Sequence, residues 1–171
     1  MIRIATIDDL DNVEGIYNAI LDYEEKNMCY TNWKRGIYPT RQTAIDAIKK
    51  GTLHIAENSE GVYGTLILNN EELEEYKNIG WSIEGEGKEI LVIHTLCINP
   101  AFNGKGKGVE LVEYAQEYGK TRGCKVIRLD TYEENILACR MYEKLGYTYA
   151  GKTLFNFHGI IENLKCYEKK I

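Results

Sequence analysis

Apolar and polar positions alternate from Ile2 to Ile7, which predicts an opening strand. The period then lengthens. Leu10, Val13, Ile16, Tyr17, Ile20 and Leu21 recur at helical spacing, so a helix is expected from Asp9-Leu10 to about Lys26, with Thr6 or Asp8 able to cap it. An irregular stretch, Asn27 to Pro39, follows. Thr40 then opens a second helix with Ala44, Ile45, Ala47 and Ile48 apolar, ending at Gly51. Thr52 to Glu57 and Val62 to Leu68 read as strands joined by Asn58-Ser59-Glu60-Gly61, a hairpin turn by residue type. Asn69 to Lys88 is long, polar and acidic.

The second half turns on one stretch. Ile90 to Ile98 is an apolar, β-branched run bounded by Asn99-Pro100, hence a buried strand. Asn103-Gly104-Lys105-Gly106-Lys107-Gly108 comes next. A helix then begins, with Val109, Val112 and Ala115 on one face and Leu111 beside Ala115. Lys125 to Asp130 is a further strand. Tyr147 to Leu154 and Ile160 to Tyr167 close the chain as strands around a turn at Phe155-Asn156-Phe157-His158-Gly159.

Strand, glycine-rich turn and helix N-terminus in that order make an anion site, because the first N–H groups of a helix lack intrahelical partners and the macrodipole adds partial positive charge. Glycines at alternate positions let the backbone approach a ligand and take positive φ, and Lys105 and Lys107 add charge. A phosphate or pyrophosphate is the natural guest. A P-loop is excluded, since each lysine is followed by glycine rather than Ser or Thr. The dinucleotide fingerprint misses its third glycine, at Val109 or Leu111 depending on the start, although Asp130 ends the next strand roughly 20 residues on.

With 171 residues the chain is most simply one domain, residues 1–171, large enough to bury a core without disulfide or metal support. The N-terminus enters a strand at once, without a basic region followed by an apolar one, and no apolar run reaches bilayer length; a cytoplasmic protein with no membrane partner is expected. Five cysteines, Cys29, Cys97, Cys124, Cys139 and Cys166, are an odd number without a Cys-x-x-Cys pair, arguing against a disulfide framework or a zinc ribbon; most are expected to be small buried hydrophobes. A net charge of −5 disfavours nucleic acid as partner.

Ile98-Asn99-Pro100 leading into Asn103-Gly104-Lys105-Gly106-Lys107-Gly108 resembles the coenzyme loop of the GCN5-related N-acetyltransferases (GNAT), Arg/Gln-x-x-Gly-x-Gly/Ala after a strand ending in a hydrophobic-x-Pro turn. It departs at Asn103, where the family usually carries Arg or Gln. A second run, Asn135-Ile136-Leu137-Ala138-Cys139-Arg140-Met141-Tyr142-Glu143-Lys144-Leu145-Gly146-Tyr147, looks like the family's later helix. The element order βααβββαβαββ is also that of the family. The resemblance implies an α/β (α+β) fold, with a mixed, mostly antiparallel, twisted sheet and helices on both faces.

It implies further that acetyl-CoA is the co-substrate and that no metal is needed. Acetyl transfer to an amine requires a neutral amine, oxyanion stabilisation and a proton for the departing thiolate. By the resemblance, backbone N–H groups near Leu96, Cys97 and Ile98 meet the thioester and pantetheine arm. Asn135 contacts the coenzyme beside Ala138, and Tyr142 is the general acid. His94 stands where many members carry Glu on the same strand, and its ordinary pKa suits a base near neutrality.

Each of these residues also has a plainer role. His94 suits a hydrogen-bonded strand residue, and Tyr142 an aromatic on a helix core face with Ala138 and Leu145. Glu24 and Glu25 are further base candidates at the end of the first helix, and a water chain needs no dedicated residue. Glu24 and the aromatics Tyr30, Trp33, Tyr38, Tyr76 and Trp81 are candidates for the acceptor pocket; the aromatics equally suit core or dimer contacts. The glutamates from Glu71 to Glu75, with Glu84, Glu86 and Glu89, are by default a solvated surface, or else a negative rim that draws in a cationic amine. A small-molecule or peptide amine is the expected substrate, with polyamine, amino sugar, amino acid, peptide N-terminus and arylamine all open. Family members are often dimers, which leaves a homodimer open here. A non-catalytic acyl-CoA-binding domain is the competing reading.

Overall fold

The computed structural model describes residues 1–171. Its elements follow the expected order: β1 (Ile2–Ile4), α1 (Leu10–Lys26), α2 (Arg41–Lys49), β2 (Leu53–Asn58), β3 (Gly61–Asn69), β4 (Ile90–Ile98), α3 (Lys107–Thr121), β5 (Val126–Tyr132), α4 (Ile136–Lys144), β6 (Thr148–Phe157) and β7 (Ile160–Lys170). The pairings of β1 with β2, β2 with β3, β5 with β7 and β6 with β7 are antiparallel, and that of β4 with β5 is parallel, so the sheet structure is mixed and mostly antiparallel. No helix is long and apolar enough to cross a membrane.

The chain divides into two compact units: Met1–Cys29, Trp33–Leu68 and His94–Tyr114 form the first, and Tyr30–Asn32, Asn69–Ile93 and Ala115–Ile171 the second. In the first, the strand order is β1-β2-β3 and then the end of β4. Period-two alternation sends Leu53 and Ile55 of β2 to one face. There they join Ile67, Cys97 and the apolar stripes of α1 and α2, including Val13, Ile16, Tyr17, Ile20, Ala44 and Ala47. Each large aliphatic side chain so buried contributes about 1.5–3 kcal/mol. His54, between them in sequence, points to the other face, where Nδ1 shares a 2.9 Å hydrogen bond with the hydroxyl of Tyr114 on α3. Helices therefore cover both faces of this unit. Thr40 caps α2 as expected, accepting from Thr43 N at 3.4 Å.

In the second unit the order is the start of β4, then β5, β7 and β6. One face carries Leu91, whose Cδ2 would lie 3.1 Å from a Cβ on Gly119 of α3, a close approach, and Tyr167, which meets Tyr142 of α4. The other is covered by the acidic stretch. Its glutamates Glu71, Glu72, Glu74, Glu84 and Glu86 are exposed as expected, but Tyr76 and Ile79 are buried on Ile90, Val92, Val126 and Cys166, with Leu73, Trp81 and Ile83 packed beside them. Buried ionic groups hold it there. Arg128 bonds Glu72 Oε1 at 2.6 Å and the carbonyl of Ile83 at 3.0 Å, and the Glu168 carboxylate accepts from Ser82 N at 2.7 Å and Ile83 N at 3.2 Å.

Several boundaries differ from those expected. β5 continues past Asp130 to Tyr132, because Thr131 and Tyr132 stay paired with Lys165 and Leu164. The last hairpin turns at His158-Gly159 alone, with φ of 48° and 89°, the pair of positive values that a two-residue turn matched to strand twist requires. Phe155 and Phe157, expected in that turn, lie within β6. Helix α3 starts at Lys107, so Gly108 sits inside its first turn.

Candidate functional site

Within the first unit, β4 departs from regular strand geometry at Thr95, whose φ is 47°. For a β-branched residue this is a strained conformation costing about 1–3 kcal/mol. Thr95 is buried and its hydroxyl is hydrogen-bonded to that of Tyr38. Beyond it, Leu96 and Ile98 are half-buried and Cys97 fully buried. Burial pushes the Cys97 thiol up to about 12, so it is protonated at neutral pH and poorly suited to carry an acyl group. Gly64 on β3 allows close approach here: a Cβ on it would lie 3.0 Å from the Cys97 carbonyl oxygen and 3.0 Å from Leu111 Cδ1. The Asn99 N–H reaches the carbonyl of Tyr63 at 2.8 Å.

The chain then turns in two steps. Asn99 caps a short 3₁₀ turn, Pro100–Phe102, by accepting from Ala101 N at 3.1 Å, and Asn103 N closes it on Pro100 O at 3.1 Å. Gly104 and Gly106 follow with φ of 74° and 72°, which only glycine takes without strain. Space above both is open, with no atom within 4 Å of a built Cβ. Glu110 N donates to Gly106 O at 3.1 Å, the first i to i−4 bond of α3, so the N–H groups of Lys107, Gly108 and Val109 precede any intrahelical acceptor. Asn103, Gly104, Lys105 and Gly106 are exposed. An exposed, glycine-shaped turn entering a helix N-terminus fits a phosphate group of the expected kind.

Its two lysines differ. Lys105 Nζ is 4.9 Å above the Phe102 ring, on the exposed part of the turn. Lys107 is drawn to the protein instead, 4.4 Å above the Tyr63 ring and 2.7 Å from Glu110 Oε2. Tyr63 donates its hydroxyl proton to the other Glu110 oxygen at 2.5 Å. Lys107 first, and then Tyr63, hold the Glu110 carboxyl below its ordinary range, while burial first and Glu110 second raise the Tyr63 phenol. Sequence reasoning passed over Glu110, although its place three residues after Lys107 at a helix start was the available signal.

Of the remaining first-unit candidates, His94 is half-buried directly before Thr95. Glu24 is buried at the end of α1 and accepts from the Cys29 thiol at 3.4 Å. Trp33 packs partly buried on the core that contains Tyr17 and Cys97, its ring edge-on to that of Tyr38 with the centroids 5.8 Å apart.

The other candidates belong to the second unit. Asn135 caps α4, its Oδ1 accepting from Ala138 N at 3.2 Å, and Ala138 is half-buried. Tyr142 is 5% exposed in an aromatic cluster, 5.8 Å from the Tyr147 ring and 6.0 Å from that of Tyr167. Tyr30 is half-buried. Trp81 donates Nε1–H to Tyr76 O at 3.1 Å and lies 4.5 Å beneath the Arg128 guanidinium, a packed position. Asp130, which the dinucleotide pattern would place on a ribose, accepts from the Tyr76 hydroxyl at 2.7 Å.

The Acetyltransferase (GNAT) family model matches residues 18–147. Streptothricin acetyltransferase from Escherichia coli is 34% identical over 80 residues, which are 47% of this chain and 42% of that protein. An acetyltransferase of the GNAT family from Streptococcus agalactiae superposes with a TM-score of 0.79 at 23% identity, covering 100% of this chain and 95% of that one. An acetyltransferase from Salmonella typhimurium, solved with its cofactor acetyl-CoA, gives a TM-score of 0.72 at 17% identity, covering 99% of this chain and 92% of that one. These structural likenesses establish the fold. The chain spans less than half the length of the curated relatives it matches, 30% and 42%.

Proposed function

The chain belongs to the acetyltransferase (GNAT) family, and from that premise we propose that it moves the acetyl group of acetyl-CoA to a primary amine of a small molecule or peptide, by direct attack in a ternary complex. The observation that carries this reading is the open turn at Gly104 and Gly106 delivering the chain into α3. There the N–H groups of Lys107, Gly108 and Val109 take the coenzyme pyrophosphate, and Asn103 and Lys105 border it. Charge from Lys107 is partly offset by Glu110.

Bound acetyl-CoA supplies the activated acyl group; the chain orients it. In this reading the backbone of Leu96, Cys97 and Ile98, after the turn at Thr95, faces the thioester carbonyl, and His94 takes the amine proton. Glu24 and Trp33 recognise the acceptor. For Asn135 and Ala138 as coenzyme contacts and Tyr142 as the acid, the support is the family resemblance alone. One acetyltransferase domain over residues 1–171, placed in the cytoplasm and open to homodimerisation, completes the reading.

Calorimetric titration with acetyl-CoA, CoA and an adenine dinucleotide tests it first. Micromolar or tighter binding of the two coenzyme forms is expected, and dinucleotide preference would overturn it. Thiol release with a panel of amines, streptothricin among them, follows. Coenzyme binding with no release from any amine would favour a non-catalytic acyl-CoA-binding domain, the reading that the short, uncharged Asn103 favours.

A further inference from the structure

We propose that Tyr38 is a positioning residue for the acyl site: its hydroxyl, bonded to Thr95 Oγ1, holds Thr95 in the left-handed conformation that aims the Leu96–Ile98 backbone. The inference rests on the acetyl-CoA reading above. Thr95 is neither glycine nor asparagine, and a β-branched residue at a φ of 47° persists only where its surroundings impose it. Downstream restraints act beyond Thr95, through the Asn99 N–H on Tyr63 and the close approach of Cys97 to Gly64. On the Thr95 side chain the bond comes from Tyr38.

Tyr38 is itself delivered rigidly. Lys34 N donates to Tyr38 O at 3.2 Å and Tyr38 N to Lys34 O at 3.0 Å, closing a small loop. Ile37 N adds a bond to Lys34 O at 3.0 Å, Pro39 is buried behind it, and the Trp33 ring stands edge-on to Tyr38. A closed turn therefore reaches across to β4 and grips the residue at which the strand changes direction. A left-handed residue within a strand rotates the flanking peptide planes out of the ladder. Tyr38 thus acts on the groups that meet the acyl carbonyl. The pyrophosphate turn is separated from them by the Asn99 cap and does not depend on it.

This separation sets the test, which needs no knowledge of the acceptor. Calorimetry of Tyr38→Phe should show acetyl-CoA affinity falling about fivefold, the scale of one lost hydrogen bond, and CoA affinity, which keeps only the pantetheine contacts of the same backbone, falling by a clearly smaller factor. Thr95→Val removes the other partner and should give the same split, which keeps the test available if Tyr38→Phe does not fold. Adding Thr95→Gly to Tyr38→Phe makes positive φ free of strain and should restore the acetyl-CoA to CoA ratio, a rescue that a merely structural role would not produce. An unchanged ratio in the single variants, or no recovery in the double variant, overturns the proposal. Failure of the wild-type protein to bind CoA would instead overturn the acetyl-CoA reading on which it rests.

Discussion

Lys107 and Glu110 form an ion pair across the first turn of α3, with Nζ 2.7 Å from Oε2. The pair places a carboxylate where the helix dipole favours negative charge. It also places that carboxylate beside the turn proposed to receive a pyrophosphate. Lys107 is consequently shared between an internal partner and the ligand, and Tyr63, donating to the same carboxylate, keeps Glu110 from swinging away.

Replacing Glu110 with Gln should therefore tighten coenzyme binding. The like charge disappears and Lys107 is released, worth about two- to fivefold in affinity at low salt for groups this exposed. Titrations at low and high ionic strength check it. The gain should shrink as salt screens the charges, and a loss of affinity would mean that Glu110 organises the turn more than it repels the ligand.

The glycines of the turn should separate by backbone conformation. Gly106→Ala places a side chain at a φ of 72°, costing about 1–2 kcal/mol, and should weaken coenzyme binding roughly tenfold. Gly108→Ala lies inside α3, where alanine is preferred by about 0.8–1 kcal/mol, so the melting temperature should rise. If the pyrophosphate rests on that first turn, the added methyl should still reduce affinity. Higher stability with weaker binding in one variant is the expected result; thermal melts and calorimetry on the same preparations measure both.

Helices α1 and α2 were legible because their apolar residues repeat at helical spacing over several turns, and the strand and turn of the site because β-branched residues give way abruptly to Asn-Pro and glycine. What stayed hidden was set by contacts distant in sequence. Thr95 has no local reason for positive φ; its partner Tyr38 lies in a different loop. Gly64 reads as a weak strand residue until the Cys97 carbonyl is seen against it. The acidic stretch reads as solvated because its glutamates outnumber its apolar residues, yet Tyr76 and Ile79 are core, and Arg128 and Glu168, far along the chain, fix the stretch in place. Helix α3 reads from Val109 because its apolar spacing starts there, whereas the helix itself begins at Lys107 and carries Gly108 in its first turn.

Tyr142→Phe tests the proposed acid. Phenylalanine keeps the ring in its cluster with Tyr147 and Tyr167, so the fold and coenzyme affinity should hold. Turnover should fall at least about tenfold if the hydroxyl supplies the thiolate proton. Thiol release under saturating coenzyme measures it, and undiminished turnover would leave Tyr142 a packing residue only.

Asp130 should make folding stability depend on pH in a direction opposite to most carboxylates. Burial raises its carboxyl from 3.8 to about 6, a shift that the Tyr76 hydrogen bond opposes and the nearby Glu75 charge adds to. The folded state therefore holds this proton more tightly than the unfolded chain. Its contribution is most favourable below about pH 4, where both states are protonated, and is lost as pH rises through about 6. A shift of about two units corresponds to at most about 3 kcal/mol, less with partial solvent access. Asp9, Glu89, Glu110 and Glu133, whose carboxyls are lowered, act in the reverse sense, so the wild-type profile alone mixes the signs. Asp130→Asn isolates the effect. The variant should match wild type near pH 4 and be more stable by a kcal/mol or more above about pH 6. Urea midpoints across that range decide it: a constant difference would mean that Asp130 titrates alike in the folded and unfolded states.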